Sequence, residues 1–188
     1  MSRWEPDARG RLERAALELY AERGFEQTTV AEIAERAGLT ERTFFRYFAD
    51  KREVLFGGEH VLQDLFVDAV AAAPADAGAL EAVAAGLEAV GEMFVGRHPV
   101  ARRRQAVVGA NTALQERELI KLAALAAAVA AALRDRGVPQ PAADLAGETG
   151  IAVFKVAFER WIGEDRETDL RMVLREVLDD LRALVAAG

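Results

Sequence analysis

The stretch TTVAEIAERAGLTERTFFRYFADKREVLF, residues 28–56, decides the fold of the N-terminal part of this chain. Thr29 is followed by Glu32 at the spacing of a capping box, in which each side chain bonds the other residue's backbone amide. Gly38 can adopt the positive φ that ends a helix, and Thr40 then stands at the N-cap of a second helix. The sequence therefore predicts two short helices joined by a tight turn, which is a helix-turn-helix motif.

The second of these helices divides into two faces on a helical wheel. Phe44 and Phe48 lie about 40° apart and form one apolar face. Arg42 and Arg46 lie one turn apart on the opposite face. Because arginine can pair bidentately with guanine O6 and N7, this pattern predicts a helix that enters the major groove of DNA. An ordinary surface helix with two solvated arginines is the alternative.

The same segment resembles the DNA-binding domain of the tetracycline-repressor (TetR) family of bacterial regulators. The matching positions are Ala21-Glu22-Arg23-Gly24-Phe25, Thr28-Thr29-Val30, Ile33-Ala34, Ala37-Gly38-Leu39, Thr43-Phe44-Phe45-Arg46-Tyr47-Phe48 and Lys51. The resemblance covers roughly the first 57 residues, and many positions match in register.

The resemblance implies a DNA-contacting role for eight residues. It implies phosphate contacts from Thr29, Thr40, Tyr47 and Lys51, and base or groove contacts from Arg42, Thr43, Phe45 and Arg46. Many family members have glycine where this chain has Arg42, and tyrosine where it has Phe45. The first difference adds a charged side chain, and the second removes a hydroxyl that could bond phosphate. Lys51 is also predicted to open the next helix, where free backbone amides can bind phosphate.

The net charge of the whole chain is unfavourable for binding DNA, but the charge around the second helix of the motif is favourable. The net charge is −7, of which residues 1–57 carry −1, with ten basic and eleven acidic side chains. Residues 40–52 hold four basic and two acidic side chains. Since phosphate attraction acts over a Debye length of about 8 Å at physiological salt, the local patch matters most.

Composition narrows the class of protein further. The 188 residues suffice for one or two domains, and the hydrophobic fraction of 52% excludes a disordered chain. Cysteine is absent, which excludes disulfides and thiolate metal sites. The N-terminal residues lack the apolar region of a signal peptide, and the longest apolar run, 122–133, is shorter than the ~20 residues of a membrane span. We therefore expect a cytoplasmic protein.

Downstream, the sequence predicts helices and no strand. With the N-terminal three, about nine helices are expected in an all-α protein, as a helix-turn-helix DNA-binding domain over 1–57 and a larger ligand-binding and dimerisation domain over 58–188. The predicted helices outside the motif run from about Pro6 to Arg23, from Lys51 to before Pro74, from Asp76 to near Gly96, from about Pro99, from Thr112 to Arg136, from Pro141 to about Ile162 and from Glu167 to the end.

The last two predicted helices carry apolar stripes at helical spacing. Such stripes are most often intramolecular core, but the resemblance implies that these helices pair with a second copy in a four-helix interface. The residues predicted to form it are Phe158, Trp161, Leu170, Val173, Leu174, Val177, Leu178 and Leu181. A two-fold dimer would set two reading helices about 34–36 Å apart on a palindromic operator.

The middle helices are where the resemblance implies a small-molecule effector. The candidate wall residues are Phe66, Leu87, Met93, Phe94, Val107, Leu122, Leu125, Phe154 and Phe158. Small residues beside them could leave room for a ligand, namely Gly86, Gly91, Gly109, Ala110 and Gly150. The run 102–104 of three arginines could receive an anionic head group or could be a solvated charge run. The TFFRYF sequence is similar to that of actinobacterial regulators, some of which bind acyl-CoA-like ligands.

The sequence contains no recognised motif of an enzyme active site. The two histidines, His60 and His98, do not lie in the Glu-x-x-His spacing of a helical metal site, and no glycine-rich phosphate loop or nucleophile elbow is present. We therefore expect that the protein is not an enzyme and binds no cofactor and no metal. The sequence predicts a ligand-responsive transcriptional regulator, in this family most often a repressor, with a helical protein–protein adaptor as the alternative.

Overall fold

All secondary structure in the described part of the chain is helical. The computed structural model describes residues 7–164 and 168–187. The α-helices are α1 (Ala8–Arg23), α2 (Val30–Arg36), α3 (Glu41–Tyr47), α4 (Glu59–Ala72), α5 (Ala79–Met93), α6 (His98–Gly109), α7 (Thr112–Asp135), α8 (Gln140–Gly163) and α9 (Leu170–Ala186). A short 3-10 helix, Glu53–Leu55, lies between α3 and α4. Within these residues the predicted all-α class with nine helices is confirmed.

The described helices pack into two compact units. The first comprises the chain up to Gly58 together with Arg103–Glu118, and the second comprises Glu59–Arg102 and the chain from Leu119 onward. The segment from α6 and α7 joins the first unit because Val107, Val108 and Leu114 are buried in the same apolar cluster as α1. The sequence had given no sign of this segment, since it lies well beyond the expected domain boundary after residue 57.

Local hydrogen bonds define α2 and α3 as the sequence predicts. The Thr29 hydroxyl accepts from the Glu32 amide at 3.3 Å, while the Glu32 carboxylate accepts from the Thr29 amide at 2.8 Å. Gly38 has a φ of 66°, which permits the tight turn after α2. The Thr40 hydroxyl then accepts from the Thr43 amide at 3.2 Å and caps α3.

The predicted helix start at Lys51 is wrong, because α4 begins only at Glu59. The Asp50 carboxylate accepts from the Glu53 amide at 3.2 Å, but Glu53 begins a short 3-10 helix and not an α-helix. Phe56 is buried in the core of the first unit. The two glycines that follow are poor helix formers, and they separate this turn from α4.

Three other predicted helix starts have different outcomes. Asp76 was expected to cap the fifth helix, but the N-cap is Gly78, whose amide donates to the Glu81 carboxylate at 2.8 Å. The prediction was wrong because the capping acceptor comes from within the helix. The predicted starts at Pro6 and Glu167 lie outside the described residues.

In the second unit, α5 packs against α4, α8 and α9, and α8 packs against α9. Phe66 of α4 fills the space beside Gly86, where an added Cβ would lie 2.1 Å from its ring, and Val83 fills the space beside Gly150, where an added Cβ would lie 2.7 Å from its side chain. These glycines therefore permit close approach of the helices.

Candidate nucleic-acid interface

The two-sided character of α3 is confirmed by the burial of its side chains. Phe44 is 0% exposed and packs 5.4 Å from Phe48, which is also buried, as measured between ring centroids. Phe45 is 56% exposed, and both Arg42 and Arg46 are exposed. The aromatic rings on one side thus anchor the helix to the first unit and leave the arginine side open to solvent.

The two arginines of α3 differ in their surroundings. Arg46 lies over the ring of Tyr47, with its Cζ 4.9 Å from the ring centroid, and its Nη2 donates to the Tyr47 hydroxyl at 3.2 Å. Arg42 has no hydrogen-bond or ion-pair partner among residues 7–164 and 168–187. Neither guanidinium is neutralised by a carboxylate in this part of the chain, so both can bind an anionic or acceptor-rich partner.

Two other exposed arginines of the first unit are paired with carboxylates. Arg36 forms ion pairs with Glu22 at 3.0 Å and with Glu18 at 3.5 Å. Arg52 pairs with Asp50 at 2.6 Å. Of these four arginines, only the two on α3 have no carboxylate partner in the described chain.

The threonines implied to contact phosphate stand at the N-termini of α2 and α3. Both side chains are exposed, but their hydroxyls already take part in caps: Thr29 also donates to Glu32 at 2.9 Å, and Thr40 lies 3.1 Å from the Thr43 hydroxyl. The amide and hydroxyl of Thr29 hold the pKa of Glu32 below its usual range. A phosphate would therefore meet capping groups that are already ordered.

Lys51 has surroundings that the sequence did not indicate. Its ammonium donates to the carbonyl oxygens of Phe25, Glu26 and Thr28 at 2.9, 3.3 and 3.1 Å. It also lies 4.4 Å from the centroid of the Phe25 ring. The three N–H groups of a lysine thus each have an acceptor in the loop between α1 and α2.

Most of the predicted effector-pocket residues lie in one cluster, but Val107 does not. Phe66, Leu87, Leu125 and Phe154 are buried in the core of the second unit, and Phe94, Leu122 and Phe158 pack against it. Met93, at the end of α5, is half-buried. Val107 is buried in the core of the first unit instead, because its part of α6 packs with α1. A role for Val107 in an effector pocket stays a prediction.

Aromatic rings fill the centre of this cluster. The centroid of Phe94 lies 6.3 Å from Phe154, 5.4 Å from Phe158 and 5.8 Å from Trp161. The buried His98 lies edge-on to Trp161 at 4.8 Å, and its Nε2 is 3.0 Å from the Trp161 carbonyl oxygen. Since a carbonyl oxygen only accepts, this contact identifies Nε2 as the protonated nitrogen.

The space beside the small residues is partly occupied by protein atoms. Phe66 fills the slot at Gly86 and Val83 fills the slot at Gly150, while a Cβ on Gly91 would lie 2.7 Å from the side chain of Arg171. Only Gly109 among these glycines has open space around it, with no atom within 4 Å. The expectation that these glycines leave ligand-sized gaps is therefore wrong for the three in the second unit.

The residues predicted to face a second copy lie in the core of the single chain. Trp161, Leu170, Val173, Leu174 and Leu178 are buried, and Phe158, Val177 and Leu181 pack against the same cluster. Trp161 is 1% exposed, and its indole nitrogen donates to the Thr168 carbonyl oxygen at 2.5 Å. The five buried residues thus serve the core of the second unit in the single chain, and their contact with a second copy stays a prediction.

The opposite face of α8 carries exposed apolar residues that the sequence reasoning missed. Leu145, Ala152 and Val156 are exposed, as is Met172 on α9. The three on α8 recur at offsets of seven and four residues, which places them on one face. This signal was present in the sequence, but the stronger aromatic stripe of the same helix concealed it.

The three arginines at 102–104 do not share one environment in the structure. Arg104 is half-buried: its Nε donates to the Leu55 carbonyl oxygen at 2.9 Å, and its Nη1 pairs with Glu118 at 2.9 Å. The same guanidinium lies 4.9 Å from the centroid of the Phe56 ring. Arg104 is thus a structural residue of the first unit, so the interpretation of the whole run as solvated charge is wrong for it.

Comparisons with known proteins agree with this geometry. The family model described as bacterial regulatory proteins, tetR family, matches residues 13–56. The HTH-type transcriptional regulator TcmR of Streptomyces glaucescens is 40% identical over 82 residues, which are 44% of this chain. Residues 13–56 thus form a DNA-binding domain of the TetR type. The TetR-type match spans only 36% of the length of TcmR.

Two solved structures share the TetR fold over nearly the whole chain. FadR of Bacillus subtilis, in complex with stearoyl-CoA, is 21% identical, with 90% of this chain and 95% of that one covered at a TM-score of 0.62. FadR of Thermus thermophilus, a TetR family transcriptional repressor in complex with lauroyl-CoA, is 24% identical, with 93% of each chain covered at a TM-score of 0.57. At these identities the likeness establishes the fold.

No helix within residues 7–164 and 168–187 combines the length and the apolar character needed to cross a bilayer.

Proposed function

We propose that this protein is a homodimeric, ligand-responsive transcriptional regulator of the TetR family, acting as a repressor, that binds a palindromic operator through α3. The observation that carries the proposal is the two-sided α3. Phe44 and Phe48 hold the helix against the core, while Arg42 and Arg46 lie exposed without a carboxylate partner in the described chain. A rigid helix with uncompensated guanidinium groups is suited to the major groove.

Within this proposal the residues of α3 divide their roles by chemistry. Arg42 and Arg46 read base edges, since guanidinium groups pair bidentately with guanine. Thr43 and the exposed ring of Phe45 contact thymine methyl groups. Tyr47, which is 41% exposed, contacts the sugar-phosphate backbone. Thr29 and Thr40 bind phosphate at the helix N-termini, where backbone amides and the helix dipole add to the attraction.

The larger part of the chain, 58–188, is proposed to bind the effector and to form the dimer. Leu145, Ala152 and Val156 define an exposed apolar face of α8, and Met172 is exposed on α9. An ion pair of 2.7 Å between Arg160 and Glu176 ties α8 to α9 beside this face. An apolar stripe flanked by charged residues is the pattern by which helices pair with a symmetry-related copy.

An acyl-type molecule is the proposed effector. The two FadR relatives were solved with stearoyl-CoA and lauroyl-CoA, and the second unit of this chain holds a cluster of apolar and aromatic side chains around Phe94, Phe154 and Phe158. Rings packed on each other must part to admit an acyl chain. Ligand binding would thereby favour a conformation in which the two copies of α3 no longer match the operator spacing.

A helical adaptor that binds only protein is the rival reading. It accounts for the helical core but leaves the unpaired arginines of α3 without a role. Selection of bound duplexes from random DNA distinguishes the two. A regulator is expected to enrich a palindromic sequence, with binding that weakens steeply as salt increases. Failure to enrich any sequence would reject DNA-binding regulation in favour of the adaptor.

The effector class is tested on the selected operator. Addition of stearoyl-CoA or lauroyl-CoA is expected to release the DNA, as followed by fluorescence anisotropy, whereas coenzyme A alone is expected to leave the complex intact. Retention of the operator with both acyl-CoA molecules would reject the acyl-type effector while leaving DNA binding in place.

A further inference from the structure

Lys51 has a bonding environment that bears on DNA binding, and the role inferred for it rests on the proposed function. Its ammonium lies among the carbonyl oxygens of Phe25, Glu26 and Thr28, at 2.9–3.3 Å. These carbonyls belong to the loop between α1 and α2, more than twenty residues earlier in the chain. We use the name α1–α2 clamp for Lys51 and these three carbonyls. A tetrahedral ammonium can direct one N–H at each of three converging oxygens.

The clamp is closed on its other side by Tyr20. The Tyr20 hydroxyl donates to the carbonyl oxygen of Lys51 at 2.5 Å, so both the side chain and the backbone of Lys51 are bonded to the α1 region. Burial raises the pKa of the Tyr20 hydroxyl well above its ordinary value, and the nearby Asp50 carboxylate adds to the effect. This hydroxyl therefore stays protonated and remains a donor.

The loop held by the clamp leads directly into the DNA-facing part of the molecule. Thr28 is buried, and its hydroxyl donates to the Gly24 carbonyl oxygen at 2.9 Å. The next residue, Thr29, is the N-cap of α2 and a proposed phosphate contact. The clamp thus determines where the first turn of α2 stands.

We infer that Lys51 is a positioning residue for DNA binding: its ammonium holds the loop that presents Thr29, and it does not neutralise an operator phosphate. A phosphate contact would require Lys51 to withdraw from three carbonyl oxygens, two of them in a part-buried region. Withdrawal would leave these acceptors without their partner, which is unfavourable.

Two substitutions at Lys51 distinguish positioning from phosphate contact. Lys51→Met keeps the length of the side chain and removes the ammonium. Lys51→Arg keeps the charge, but its planar fork cannot direct three N–H groups at oxygens arranged around a single atom. Positioning predicts that both variants lose affinity for the operator by roughly tenfold, which corresponds to about 1.4 kcal/mol, because Thr29 is then misplaced.

The experiment measures operator affinity of the full-length protein as a function of salt, with circular dichroism recorded at the same temperature to establish that each variant is folded. The expected result is weaker binding by both variants with the slope of log Kobs against log salt unchanged from wild type. Loss of a phosphate contact would instead make the slope for Lys51→Met shallower by about 0.9 per protomer and leave Lys51→Arg close to wild type. Either of these two results would overturn the inference.

A charge-matched control and a second variant complete the design. Arg103→Met removes one exposed positive charge of the first unit outside the clamp, and it is expected to bind the operator within about twofold of wild type. If Lys51→Met does not fold, Tyr20→Phe removes only the hydroxyl that bonds Lys51, and weaker operator binding by the folded variant is expected. Wild-type affinity in folded Tyr20→Phe or folded Lys51→Met would overturn the inference.

The outcome is separable from that of the proposed function. If the wild-type chain binds no duplex, the proposed function fails and the inference fails with it. If the wild type binds an operator and the folded Lys51 variants bind it equally well, only the positioning role is rejected.

Discussion

The guanidinium of Arg46 lies over the ring of Tyr47, 4.9 Å from its centroid, and donates a hydrogen bond to the hydroxyl of the same residue at 3.2 Å. Both side chains are exposed. A cation–π contact at such a site stabilises by about 0.5–1 kcal/mol. Its larger effect is to restrict the rotamers of a long side chain, so that less conformational entropy is lost when Arg46 binds a base.

Replacement of Arg46 by alanine is expected to weaken operator binding by about 1–3 kcal/mol and to relax the preference for one base pair in each half-site. The measurement is a titration of the operator and of a set of duplexes with single base-pair changes. Tyr47→Phe is the matched variant, because it keeps the ring beneath the guanidinium and removes the hydroxyl. It should retain the base preference. An unaltered preference in Arg46→Ala would show that Arg46 does not read a base.

The capping box of α2 is expected to make stability depend on pH in the acid range. Bonds from the Thr29 amide and hydroxyl hold the pKa of Glu32 below its ordinary value of 4.5. Because the pKa is lower in the folded state than in the unfolded state, this contribution is complete above about pH 4.5 and is lost as the pH falls through the depressed value. The melting temperature of Glu32→Gln should therefore lie below that of the wild type at pH 7.

The difference between these two proteins is expected to shrink as the pH is lowered to about 3, since the protonated Glu32 no longer differs in charge from glutamine. Thermal unfolding followed by circular dichroism at several pH values measures both profiles. Melting temperatures that stay a constant distance apart over the whole range would contradict a role for the Glu32 carboxylate.

The residues of α2 and α3 explain why this part of the fold was predictable. The partners in each cap are three positions apart, as in Thr29 with Glu32, so the sequence alone brings them together. The burial of Phe44 and Phe48 follows from helical periodicity in the same way. The spacing of nearby residues was therefore sufficient to predict these helices, their caps and the exposed face of α3.

Long-range partners were not predictable from spacing. The stripe containing Leu174 was recognised as apolar, but periodicity does not say whether α5 of the same chain or a second copy covers it. Lys51 was interpreted as a phosphate ligand because the family resemblance implies that contact, whereas the acceptors of its ammonium lie in the loop after α1, far away in the sequence. The burial of Val107 in the same cluster as α1 was likewise not predictable, since the two segments are far apart in the sequence.

Gly86 is expected to resist substitution because of Phe66. A Cβ at this position would lie 2.1 Å from a ring carbon of Phe66, and Phe66 is itself fully buried. Overpacking of this kind destabilises by about 1–3 kcal/mol, so Gly86→Ala should lower the free energy of unfolding by about that amount. Urea denaturation measures the change.

Gly109→Ala is the matched control, since Gly109 is the last residue of α6 and has no atom within 4 Å of the added Cβ. Its free energy of unfolding should stay within about 1 kcal/mol of the wild type or rise, because alanine has the higher helix propensity. Equal effects of the two substitutions would mean that Phe66 does not occupy the slot at Gly86.

A charged substitution at an exposed apolar residue of α8 tests the proposed dimer face. Val156 is exposed in the single chain, so Val156→Glu should leave the fold of the protomer intact. In a dimer the same carboxylate would be desolvated among apolar side chains, which is strongly unfavourable. Folded monomers are therefore expected by analytical ultracentrifugation at concentrations where the wild type is a dimer.

Two further variants separate this effect from loss of stability. Val61→Glu places the same charge on α4, at an exposed valine outside the proposed face, and should leave the dimer intact. Leu174→Ala truncates a buried side chain of α9 and should lower the free energy of unfolding by about 2–5 kcal/mol.

Operator affinity should fall with dimerisation in Val156→Glu, because each protomer then binds a half-site alone. A Val156→Glu protein that remains dimeric would exclude this face of α8 as the interface.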